Sequence, residues 1–297
     1  MSVLNNPDQT SSAAGGDAGP PPSDRSKRLR RNTRRSASPE GAPTRPDRRS
    51  STPVLGLLPL VALLGLWQLL GEPDSPHYPP PSEWWAAVKP LMEKGTLTPA
   101  LGWSTLTFLL GLIMATVLGS TFGILVGANR TADRALGPGL EFLRILPAAS
   151  LVPVAALVLG YTMTMKLVIV TLPATWPILL TCRTARRSLS PVLLDVPRTL
   201  GLSRRERLTK VILPAMTTAV LLGVRVSAPL ALIITLLVEI VTRINGLGAL
   251  LGAAQSNFMS AQVYGLLVIA GALGFLVNWF VTRLESVVNR RMGTSGG

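Results

Sequence analysis

Six apolar blocks dominate this sequence: Pro53 to Gly71, Pro99 to Ala128, Gly139 to Gly160, Lys166 to Cys182, Val211 to Ile240 and Val263 to Leu284. Each is near or above the ~20 residues that a helix needs to cross the hydrocarbon core of a bilayer, the fourth being the shortest. Hydrophobic residues make up 47% of the 297 and charged residues 15%, and the apolar ones are gathered into these blocks. The fold expected is therefore an all-α integral membrane protein with six transmembrane helices. Pro147, Pro153, Pro173, Pro177 and Pro229 fall inside the blocks and predict kinks. Such kinks are tolerated where neighbouring helices or cavity water satisfy the freed carbonyls.

The formal charge of +14 would raise the question of nucleic acid in a soluble chain, but here the basic residues lie between or outside the blocks. Arg130 and Arg134 follow the second block. Arg183, Arg186, Arg187, Arg198, Arg204, Arg205, Arg207 and Lys210 follow the fourth, and Arg290 and Arg291 the sixth. Alternate loops are basic, which places them and both termini in the cytoplasm. Residues 1–50 are rich in Ser, Pro, Gly and Arg without apolar periodicity, and read as a disordered, solvated basic tail. Residues 51–292 form the membrane domain and 293–297 a short C-terminal tail. Cys182 is the only cysteine, so neither an intrachain disulfide nor a cysteine-based metal cluster can be built. His77, the only histidine, has no carboxylate or thiol cluster around it, and no metal or catalytic role follows.

Two loops carry local order. Between the first and second blocks, Ser82 reads as an N-cap and Gly95 as a stop, with Trp84, Trp85 and Val88 on one side. This is the pattern of an interfacial helix on the outer face, with a docking surface for an outside partner as the alternative. Between the fourth and fifth blocks, residues 183–210 are strongly basic. Ser190 with Pro191 marks a helix start, Gly201 a stop, and Ser203 with Glu206 a second start of the capping-box kind. Two short helices joined at a glycine are expected there.

Within the blocks, Gly119, Gly123 and Gly127 recur at four-residue spacing on one face and allow close helix packing, within one subunit or across a dimer. Arg225 and Glu239 are charges inside the fifth block. At mid-membrane each costs ~2.5–3.5 kcal/mol on insertion scales, so both should face protein or water. Fourteen residues separate them, or about 21 Å of helix, too far for a direct pair. A structural ion pair or carbonyl contact and a pathway role both stay open for Arg225, and likewise for Glu239 near the outer mouth.

The long basic loop resembles a known family. Asp195, Val196 and Pro197, then Gly201, then Ile212, Leu213 and Pro214 resemble the EAA loop of ABC importer permeases. Leu143 to Pro153, Trp176 to Thr181, Gly223 to Arg225, Glu239 and Gly246 to Leu251 agree with its nitrate, sulfonate and taurine branch, and the likeness covers Pro53 to Met292. Asp195, Val196 and Pro197 are bulkier than the family's triplet, and the Arg-rich tail has no counterpart in it. The resemblance implies a bacterial plasma-membrane permease that pairs with a second copy. It implies two cytoplasmic ABC ATPase subunits, against which the loop 183–210 is the coupling loop, with Asp195, Val196, Pro197, Gly201, Glu206, Ile212, Leu213 and Pro214 as coupling residues, and an extracytoplasmic binding protein. It implies a small anion such as a sulfonate, taurine or nitrate as solute, with Arg225 and Arg243 as attractive charges. Independently, none of the five lysines precedes Ser or Thr, so there is no Walker A loop, and ATP and Mg belong to the partner ATPase. A stand-alone secondary transporter is the alternative, without an internal repeat to support it. An intramembrane enzyme is disfavoured, since the spans hold no histidine and only Glu141 and Glu239 as acids.

Overall fold

The four longest helices set the architecture. In the computed structural model, which describes residues 53–73, 75–145 and 147–291, they are α3 (Leu97–Ala128), α6 (Met163–Ser188), α9 (Leu213–Thr242) and α11 (Ser260–Arg291). Each has 26 residues or more, and at 1.5 Å per residue each exceeds the ~30 Å hydrocarbon thickness. Every regular element among the described residues is helical. The others are α1 (Pro53–Leu70), α2 (Pro81–Glu93), α4 (Arg130–Ile145), α5 (Ala148–Leu159), α7 (Pro191–Thr199), α8 (Arg204–Arg207) and α10 (Leu247–Ser256), with a π-helical turn, Leu208–Ile212, before α9. The chain divides after Gly56, and the packing below is that of Leu57–Gly297. The expected tails, 1–50 and 293–297, lie outside the described residues.

Helix α3 lies parallel to α6 with their backbones close together. A Cβ added to Gly111 would fall 2.6 Å from Val170 Cγ1, and one on Gly119 2.9 Å from Ile178 Cβ. On Gly123 it would meet the Leu179 carbonyl oxygen at 2.6 Å, and on Gly127 the Arg183 carbonyl oxygen at 2.6 Å. Val170, Ile178, Cys182 and Arg186 each stand 59 positions after the glycine they face, so one register holds along the whole contact. The glycine face is thus filled within one chain. Gly223 of α9 backs onto the same Ile178, at its Cα, and Ser227 Oγ donates to the Ala174 carbonyl at 2.7 Å. Phe108, Met165, Ile178, Met216 and Val238 are buried between these helices. A second cluster joins Val88 of α2 to Leu247 and Leu251 of α10 and Leu266 of α11. Hydroxyls inside the spans satisfy themselves locally: Thr116, Ser120, Thr175, Thr181 and Thr235 each donate to the carbonyl four residues back.

Three expectations change. The block Gly139 to Gly160 is not one helix: α4 ends at Ile145 and α5 begins at Ala148, with their axes 89° apart. Pro147, at φ −70° and ψ 119°, is extended and has no N–H to continue the ladder. Pro153, Pro173, Pro177 and Pro229 leave α5, α6 and α9 continuous. Ser82 is not an N-cap. Pro80 takes that place, and Ser82 bonds Gln68 of α1 twice, at 3.0 and 3.1 Å. Nor do Trp84 and Trp85 share one surface: Trp84 packs against Trp67 and Tyr264, while Trp85 is exposed and Val88 is fully buried.

The packing makes a contrast inside α3 itself. Gly123→Ala should lower the thermal midpoint of the detergent-purified protein, because overpacking a tight contact costs about 1–3 kcal/mol. Gly102→Ala, with nothing within 4 Å of the new methyl, should be neutral or stabilising by about 0.5–1 kcal/mol. Equal midpoints for the two variants would contradict the α3–α6 contact.

Candidate functional site

The segment between α6 and α9 is ordered by its own caps. Ser190 Oγ accepts the Leu193 N–H at 3.2 Å to start α7, and Gly201 at φ +70° stops it. The Leu202 N–H returns to the Pro197 carbonyl at 3.0 Å, the six-to-one bond of a Schellman closure. Nothing lies within 4 Å of a Cβ added to Gly201, so φ alone demands glycine there. Ser203 and Glu206 form the reciprocal capping box, at 3.1 and 3.3 Å, and Lys210 Nζ adds a bond to Glu206 at 3.0 Å. The bond from Lys210, then those from Ser203, hold the Glu206 carboxyl down at about 2. The π-helical turn follows, and directly after it Pro214 lacks the N–H that a regular ladder would use. Asp195 and Val196 are exposed, as are Leu213 and Pro214, while Pro197 is buried and Ile212 reaches the core.

Beside this loop, Asp133 of α4 accepts from Arg183 Nε and Arg187 Nη1 at the end of α6. Its side chain is 5% exposed. The hydrogen bond from Arg183 holds the carboxyl below its ordinary range.

The intramembrane charges are all engaged. Arg225 Nη1 meets Glu285 of α11 at 3.2 Å, with the two side chains 50% and 16% exposed. Arg243 takes φ +57° at the end of α9, its Nε donating to the Ile240 carbonyl at 3.0 Å and its Nη2 to Ser256 Oγ at 2.6 Å. Glu239 is fully buried. Its Oε1 accepts from Lys166 Nζ at 2.7 Å, and its Oε2 from Ser104 Oγ at 2.5 Å and from the Gly248 N–H at 3.1 Å. Lys166 Nζ also donates to the Asn245 carbonyl at 2.7 Å, and Ser104 Oγ accepts the Leu247 N–H at 2.7 Å.

Comparison with known proteins matches residues 108–294 to the family described as binding-protein-dependent transport system inner membrane component. The chain belongs to this family. Among its relatives, the bicarbonate transport system permease protein CmpB of Synechococcus elongatus is 29% identical over 80% of this chain and 90% of its own. The putative aliphatic sulfonates transport permease protein SsuC of Bacillus subtilis is 27% identical over 83% and 90%. The nitrate import permease protein NrtB of Synechocystis is 24% identical over 77% and 86%. In fold, the permease is similar to a chain of the MetNI methionine ABC transporter in an inward-facing conformation, with TM-score 0.57 and 17% identity over 67% of this chain and 98% of that one.

The permease is thus a membrane component of an ABC importer. Its local caps were readable from spacing, but the partners of its charges were not. Lys166 stood at the edge of an apolar block, where a cation reads as a boundary, and Ser104 had no signal at all. Both reach Glu239 from far along the chain, at separations of 73 and 135 residues. Asp133 lay in a polar stretch whose helical start at Arg130 the apolar pattern did not mark.

Asp133 makes stability depend on pH with a definite sign. A carboxyl held below its ordinary value of 3.8 adds stability above that value, and this is lost as pH falls through the lower folded value. The thermal midpoint of the permease should therefore exceed that of Asp133→Asn at neutral pH, with the gap closing below about pH 4. A gap independent of pH would contradict the Asp133–Arg183 bond.

Proposed function

We propose that this permease forms, with a second copy of itself, the membrane pathway of an importer for a small oxyanion. Two cytoplasmic ATPase subunits drive it and an extracytoplasmic binding protein feeds it. The observation that carries the solute class is the set of relatives above, whose printed names cover bicarbonate, aliphatic sulfonates and nitrate. Bicarbonate widens the range of sulfonate, taurine and nitrate that the sequence motifs suggest. Half-exposed Arg225 and Arg243 at the end of α9 are the candidate attractive charges.

The α7–α8 loop is the ATPase contact in this reading, with Asp195, Val196, Pro197, Gly201 and Glu206 fixing its shape. Ile212, Leu213 and Pro214 carry its displacement into α9. Support comes from its independent caps: a segment that must receive a push needs a fixed angle, and here the angle is set by Gly201 and the Ser203–Glu206 box. The same end of the bundle carries Arg130, Arg134, Arg183, Arg187, Arg204, Arg205 and Arg207. The positive-inside bias puts that end, and with it both termini, in the cytoplasm. The membrane domain then spans 51–292, and residues 1–50 are a cytoplasmic tail dispensable for transport. ATP and Mg bind the ATPase, since this chain has no Walker A loop.

One reconstitution tests both parts. Proteoliposomes holding the permease, its ATPase and its binding protein should take up an anion from a panel of bicarbonate, nitrate and sulfonates, and reject neutral and cationic solutes. In the same vesicles Gly201→Val, which places a β-branched residue at positive φ for roughly 1 kcal/mol of local strain, should insert normally yet lose uptake per ATP hydrolysed. Transport of a cation alone would overturn the solute class, and unchanged coupling in Gly201→Val the role of the loop.

A further inference from the structure

Helix α10 begins without a cap of its own. Gly246, at φ +144°, precedes it and has no side chain to accept the first N–H groups, which every helix leaves unpaired. The acceptors come from other helices: Ser104 Oγ of α3 takes the Leu247 N–H and Glu239 Oε2 of α9 takes the Gly248 N–H. An anion at a helix N-terminus is favourably placed, and here that anion is the chain's own carboxylate. The turn is moulded around it. A Cβ on Gly246 would fall onto the Glu239 carboxylate, and one on Gly248 onto the Leu236 carbonyl and 2.6 Å from Glu239 Cβ. Lys166 of α6 completes the joint by holding both Glu239 Oε1 and the carbonyl of Asn245, just before α10.

We propose that Glu239, held by Ser104 and Lys166, is the positioning residue for α10, and that the ends of α3, α6, α9 and α10 which it joins move through the transport cycle as one rigid unit. The Lys166 and Glu239 side chains are 1% and 0% exposed. Parting them would strand a carboxylate and an ammonium in a space closed to water, a far larger penalty than breaking an exposed pair. The Arg225–Glu285 pair between α9 and α11 is less enclosed, its side chains 50% and 16% exposed, so parting it strands less buried charge than parting Lys166 from Glu239. Relative motion therefore belongs at the α9–α11 contact or beyond the unit, and not across the Glu239 joint.

Three variants test the proposal, which rests on the importer reading only for its uptake assay. The thermal midpoint of the purified permease reads the joint without transport, and wild-type uptake in the same vesicles tests the importer reading separately. Lys166→Met leaves the carboxylate without its cation, and Glu239→Ala removes the cap and strands Lys166. Each should lower the midpoint and cut the yield of folded permease about tenfold or more. The double variant Lys166→Met/Glu239→Gln removes both charges yet keeps an amide oxygen for the Gly248 N–H. It should recover folded permease and return uptake per molecule to within about threefold of wild type. A double variant that folds but does not transport would show that the charges part and meet in each cycle, and would overturn the rigid unit. So would a double variant that fails to fold, or a Lys166→Met variant indistinguishable from wild type.

Discussion

The close approach of α3 to α6 is the contact on which the rest of the molecule leans. Lipid tails are as apolar as leucine, so helices in a bilayer gain little from hiding apolar surface and associate through packing and hydrogen bonds. Gly111, Gly119, Gly123 and Gly127 give α6 a seat without side chains, in one register from end to end. Because the two helices run parallel, this register also decides which polar groups meet. Their N-terminal ends bring Ser104 and Lys166 together around Glu239, and near their C-terminal ends α4 meets α6, where Asp133 joins Arg183 and Arg187. One apolar contact thereby organises a buried joint at one end and a basic, solvent-facing platform at the other.

The two ends differ in what water can do for them. Around Glu239 the carboxylate has three donors and no exposure, so the joint is rigid because nothing can replace its bonds. At the other end the α7–α8 loop is largely exposed and keeps its shape through backbone closure at Gly201 and the capping box. A loop held by its own caps can be pushed as a body. In the proposed coupling, a joint held by buried charge transmits that push without yielding.

What could be read from the sequence follows from how local the physics is. The start at Ser190, the stop at Gly201 and the Ser203–Glu206 box all stand in the structure where spacing placed them, because each cap acts over three to five residues. The long spans were legible too, though α6 and α11 run several residues past their apolar blocks on polar side chains at their ends. The requirement that Arg225 and Glu239 face protein or water also came from the sequence. Their partners, Glu285 and Lys166, did not, because no local pattern links positions 60 and 73 residues apart. A bend at Pro147 was expected, but the apolar run on both sides of it hid that the bend is a full break of 89° between two helices. The Gly246 to Leu251 motif was visible only as a family likeness; that it opens helix α10, and why its glycines are there, follows only from Glu239 beside it.

If the α7–α8 loop is the surface that receives the ATPase, contact should be confined to that end of the bundle. A photo-activated cross-linking residue placed at Leu200, 71% exposed after α7, and another at Tyr161, 70% exposed before α6 at the opposite end, measure this directly in the assembled importer. The account predicts an adduct with the ATPase from Leu200 and none from Tyr161. An ATPase adduct from Tyr161 with none from Leu200 would contradict it.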